Sequence, residues 1–111
     1  MTNRAVSIAI LFLAAVLEAG GDAIVRKALH APAQWTRLAL FAAGGMILLG
    51  YGYTVNAPAW DFGRLLGLYV VFFFIVAQLM SWLLFNQPPS LAVLIGGGLI
   101  TAGGFVMAAA A

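Results

Sequence analysis

The chain has 111 residues, 65% of them hydrophobic and 7% charged, and a net charge of +2. Soluble domains carry about 25% charged residues, so water is excluded as the main solvent and the apolar excess must face lipid. Cysteine is absent and His30 is the only histidine, which excludes disulfides and thiolate metal sites; the five basic residues sit near the ends of apolar runs, as interface anchors and not as a nucleic-acid patch.

The first apolar run covers residues 5–25, long enough to cross a bilayer, which needs ~20 apolar residues. Arg4 and the small residues near Ala19 and Gly20 imitate a secretory signal and its cleavage site. That reading is rejected, because three more apolar segments follow and no hydrophilic domain is there to be exported. The second run covers residues 38–55, the third 65–85 and the fourth about 90–110, with the alanines at its end expected to fray. The connections hold breakers: Pro32, then Asn56 and Pro58, then Pro88 and Pro89. Short connections make neighbouring helices antiparallel. The expected architecture is a single all-α domain over residues 1–111, an integral membrane bundle of four transmembrane helices.

Loop charge barely sets orientation. Arg4 and Arg64 fall on one side and Arg26, Lys27 and Arg37 on the other, two against three. Such balance permits insertion both ways and hence an antiparallel homodimer, or it reflects only the scarcity of Lys and Arg.

Glu18 stands thirteen residues, roughly 20 Å, into the first run, within the membrane core. An ionised side chain there costs roughly 2.5–3.5 kcal/mol, so it is kept neutral, paired, or exposed to a water-filled cavity. A carboxyl that holds a proton and exchanges it for a cation is the minimum requirement for proton-coupled export. The bland alternative is a protonated Glu18 in one interhelical hydrogen bond. Asp22 and Arg26 continue the same face at i, i+4 steps, in the favourable acid-before-base order, so an ion pair between them is the expected arrangement. The alternative makes Asp22 a second acidic group on a cation path.

In the third run Tyr69, Phe72, Phe73, Phe74, Gln78 and Trp82 offer aromatic faces for a hydrophobic cation, although lipid-facing Phe and interfacial Trp explain most of them. Tyr69 and Gln78 are the better candidates, because a polar end in lipid seeks a partner. Gly63 and Gly67 form a GxxxG that marks either a contact or a turn. In the fourth run Gly96 and Gly103, seven apart and near Ala92, form a seam suited to a dimer interface. There is no Ser-His-Asp set, metal-ligand cluster, P-loop or dinucleotide fingerprint, so neither catalysis nor a metal is expected.

Three stretches resemble the small multidrug resistance family of the drug/metabolite transporter superfamily. They are Leu17-Glu18-Ala19-Gly20-Gly21 with Arg26, Ser81-Trp82-Leu83-Leu84-Phe85-Asn86-Gln87, and Ile95-Gly96-Gly97-Gly98-Leu99-Ile100-Thr101-Ala102-Gly103. The resemblance covers almost the whole chain. It implies an inner cell membrane protein, an antiparallel dimer, and two Glu18 carboxylates facing one chamber where protons and a small cationic substrate compete without a cofactor. Tyr69 sits where the family often has an aromatic substrate contact. Phe72, Phe73, Phe74 and Leu66 stand where the family has a small-residue kink and a second aromatic, and Asp22 replaces a small or hydroxylated residue. Gly63-Arg64 resembles instead a YnfA-like relative, which also keeps a first-helix Glu. The expected function is a proton-coupled exporter of small or hydrophobic cations. The alternatives are an accessory membrane subunit that packs with a partner, or a lipid- or metabolite-moving relative.

Overall fold

A computed structural model describes residues 4–109. The four prolines all lie in the connections, which leaves every apolar run free to form an unbroken backbone ladder. The helices are α1 (Arg4–Leu29), α2 (Gln34–Val55), α3 (Phe62–Phe85) and α4 (Leu91–Ala109). Each is long and apolar enough to cross a membrane. The chain is therefore an all-α four-helix membrane bundle.

Three helices start or end beyond the apolar runs that announce them. α1 runs on through Arg26 and Lys27 to Leu29, α2 begins at Gln34, and α3 begins at Phe62. Apolar runs stop at the first charge, whereas helical hydrogen bonding continues into the polar interface, as in the 3.0 Å bond from Arg37 N–H to the Ala33 carbonyl. Ala110 and Ala111, the end of the alanine tail expected to fray, lie outside the described residues.

Side chains close the helix ends where carbonyls lack backbone partners. The Asn56 amide donates to the Gly52 carbonyl at the end of α2 (2.8 Å), and Arg37 donates to the Leu29 carbonyl at the end of α1 (3.5 Å). Asn86 takes a left-handed conformation (φ 53°) to stop α3, with its N–H on the Ser81 carbonyl. Ser90 accepts from Val93 N–H at 3.2 Å to start α4.

α1 is the central helix, with α2 on one side and α3 on the other, while α4 packs on α3. Apart from Leu11, its buried positions are small: Ser7, Ala14, Ala15, Ala19, Gly21, Ala23 and Ala28. Lipid gives helices no hydrophobic reason to associate, so close backbone approach must supply the attraction. Backbone meets backbone where Gly21 crosses Gly44: a Cβ on Gly44 would lie 3.1 Å from the Gly21 carbonyl oxygen and 2.8 Å from Val25. The molecule is a slab of 50 × 36 × 19 Å. This arrangement leaves a furrow between α1 and α3.

Candidate functional site

Helices α1, α2 and α3 converge on the carboxylate expected from the sequence. Tyr69, 4% exposed, donates its hydroxyl to Glu18 Oε1 at 2.7 Å. The same hydroxyl lies 3.3 Å from the Ala14 carbonyl, one helical turn away. It has a second acceptor when Glu18 turns elsewhere. The Tyr69 ring is flanked by Tyr51 of α2, 5.8 Å between centroids, and by Phe73, at 6.2 Å. Small α1 side chains make this possible, since Ala14, Ala15 and Ala19 let the Tyr69 ring lie against the helix. Glu18 itself is half-buried.

One turn along α1 from Glu18, the furrow opens into a cavity of about 270 Å³ lined by Ala19, Asp22, Arg26, Phe73, Met80 and Ser81 among others. Asp22 and Arg26 both border it, yet no ion pair joins them among the described residues. The Arg26 guanidinium lies over the Phe85 ring instead, 5.4 Å from its centroid. The expected Asp22–Arg26 pair is thus corrected. The end of α3 offers Arg26 an aromatic face at the interface, and the carboxylate one turn deeper is left exposed to the cavity.

Comparison with known proteins gives one informative likeness. The chain is 30% identical over 66 residues to a UPF0060 membrane protein of Herpetosiphon aurantiacus, a stretch covering 58% of this chain. The chain spans about 60% of that relative's length. No family model matches, and no solved structure matches. Together with the four spans, the likeness decides the class. The chain is a multi-pass membrane protein. The match also supports the YnfA-like side of the sequence resemblance.

The remaining candidates divide between faces. Gln78 does not join Glu18. It is nine residues, about two and a half turns, from Tyr69, and so falls on the opposite face of α3. That face is the stripe of Gly67, Val71 and Phe74 that packs on α4, where Met107, Gly104 and Gly97 meet them. Polarity marks Gln78 in the sequence, but its angular position on α3 sets it apart from Tyr69. In the same stripe, Gly67 is a true contact whereas Gly63 has open space where a side chain would be. On α4 the glycines at 97 and 104 are taken up by α3. Gly96 and Gly103 face open space, and Ala92 is exposed.

Two site residues were not singled out in the sequence. Tyr51 is close enough to interact with the Glu18 carboxylate as well as with the Tyr69 ring. Its sequence signal, a phenol in the last turns of α2, is shared with Tyr53, and only the crossing beside Tyr69 sets Tyr51 apart. Phe85 lay inside a stretch read for family likeness, and its ring proves to hold both Arg26 and Lys27.

Proposed function

We propose that the protein is a proton-coupled exporter of small or hydrophobic cations in the inner cell membrane, with Glu18 exchanging a proton for substrate. The observation that carries this reading is the 2.7 Å hydrogen bond by which Tyr69 of α3 holds a mid-span carboxylate of α1 beside an open furrow. A membrane-embedded carboxylate that served structure alone would be closed off from the furrow; this one lies one turn from a cavity bordered by a second carboxylate.

The chemistry follows from the donors and acceptors. Ionised Glu18 accepts from Tyr69 and attracts a cation, whose apolar parts rest on Tyr51, Tyr69 and Phe73. When the proton returns, the carboxyl loses its charge and the cation its counter-charge, so the two ligands exclude each other. Tyr69 stays satisfied throughout because Ala14 offers its carbonyl. Asp22, free of Arg26, gives an arriving cation a first carboxylate in the cavity before it reaches Glu18. An antiparallel homodimer would place two such sites in one chamber and let access alternate between faces. The open Gly96 and Gly103 on α4 supply a surface for that association.

Proteoliposomes with an imposed pH gradient test the reading. Uptake of a quaternary ammonium or phosphonium cation is expected from the wild type and not from Glu18→Gln, which keeps an acceptor for Tyr69 but no charge. Adding substrate to purified protein should release protons. Unchanged uptake by Glu18→Gln, or no release between about pH 5 and pH 9, would overturn it. The exposed α4 face, with Leu94, Ile95, Leu99 and Phe105 uncovered, favours a second reading as an accessory subunit for a partner membrane protein. On that reading the isolated chain moves no solute.

A further inference from the structure

A second pocket, of about 240 Å³, lies beyond the first at the ends of α1 and α3 and is bordered by Arg26, Lys27, His30, Phe85 and Gln87. Its charge is one-sided. The chain has three acidic residues: Glu18, Asp22 and Asp61. None borders this pocket. Asp61 precedes α3 at the opposite end of the bundle, and Asp22 borders the deeper cavity.

The two cations are held in place and are not simply dangling. Arg26 and Lys27 approach one ring, Phe85, at 5.4 and 5.9 Å from its centroid. His30 is tethered by Nδ1 to the Arg26 carbonyl at 2.9 Å. Among the described residues neither Arg26 nor Lys27 makes an ion pair. Two like charges gathered around one ring, at the level where a membrane passes from hydrocarbon to headgroups, repel each other, and an anion between or beside them offsets that repulsion.

We propose that this pocket binds the phosphate of an anionic membrane phospholipid. Arg26 and Lys27 supply the charge, and the Gln87 amide supplies a neutral donor. A lipid is favoured over a free phosphate by the surroundings. Leu29, Trp82 and Leu84, each within one helical turn of a pocket residue, are exposed (55%, 54% and 49%), a surface that acyl chains attached to the phosphate would cover. A bound phosphate also holds Arg26 on the Phe85 side and so keeps it from neutralising Asp22. The site stands on its own geometry and does not depend on transport by Glu18.

Native mass spectrometry of the purified chain, equilibrated with phosphatidylglycerol or phosphatidylcholine of matched acyl chains, tests the proposal. With two basic side chains at the pocket and no acidic one, phosphatidylglycerol should be retained about tenfold or more over phosphatidylcholine. Lys27→Gln should cut that preference several-fold and Arg26→Gln with Lys27→Gln should abolish it, whereas Arg4→Gln, at the far end of α1, should leave it intact. Three results would overturn the site: no preference in the wild type, an undiminished preference in Lys27→Gln, or inorganic phosphate at lipid-equivalent concentration displacing the lipid. The last outcome would assign the pocket to a free anion. The wild-type comparison needs no variant to fold.

Discussion

Replacing Tyr69 with Phe removes one oxygen and leaves the ring, so it isolates the contact on which the site is built. The lost interaction is a short bond, 2.7 Å, from a phenol that is 4% exposed to a carboxylate oxygen. Hydrogen bonds to charged groups contribute about 1.5–3 kcal/mol in soluble proteins, while interhelical bonds measured in a membrane average about 0.6 and reach about 1.7 kcal/mol. Short length and burial place this one near the upper membrane value, so Tyr69→Phe should destabilise the bundle by about 1.5 kcal/mol. Tyr51 and Phe73 still pack on the ring, and no cavity opens. Reversible unfolding in mixed detergent micelles, followed by tryptophan fluorescence, measures the loss. A double-mutant cycle with Glu18→Ala assigns it: a coupling of about 1 kcal/mol or more is expected, since the 3.3 Å approach to Ala14 is all that the hydroxyl keeps when the carboxylate is gone. Full additivity within about 0.3 kcal/mol would refute the reasoning and mean that the hydroxyl and carboxylate do not hold each other in the membrane.

Two further outcomes follow from neighbouring contacts. Gly44→Ala should cost about 1–3 kcal/mol, because its new methyl meets Val25 and the Gly21 backbone, whereas Gly45→Ala, with nothing within 4 Å, should be near neutral in the same assay. Asp22→Asn should change stability by no more than about 0.5 kcal/mol, since no salt bridge to Arg26 is lost; a loss of several kcal/mol would restore the ion pair expected from the sequence. If Asp22 serves as the first station for a cation, the same variant should weaken substrate affinity while leaving Glu18-dependent proton release in place.

The most legible part of the protein was its relation to solvent. A chain with 7% charge and four long apolar runs has no soluble solution, and backbone groups in lipid must be satisfied internally, so helices follow directly. Glu18 was legible for the same reason, because a carboxylate stands out in hydrocarbon. Polarity found candidates but did not say which way they point. Tyr69 and Gln78 looked equivalent as polar tips, and helical register separates them by half a turn. Tyr51 went unnoticed because its value comes from α2 crossing α1 beside Tyr69, a meeting of positions far apart in the chain.

Sequence spacing also placed Asp22 and Arg26 where they reach each other, but spacing along one helix is blind to competitors on another. By itself the sequence determined the solvent, the number of helices, and the cost of an acid in their midst, because those depend on composition and local hydrogen bonding. The tertiary structure decided the partners: Tyr69 for Glu18, Phe85 for Arg26 and Lys27, and α3 for Gly97 and Gly104. Each of these depends on where α1, α3 and α4 cross. The crossings are fixed by close packing of small residues on several helices at once, which no single segment encodes.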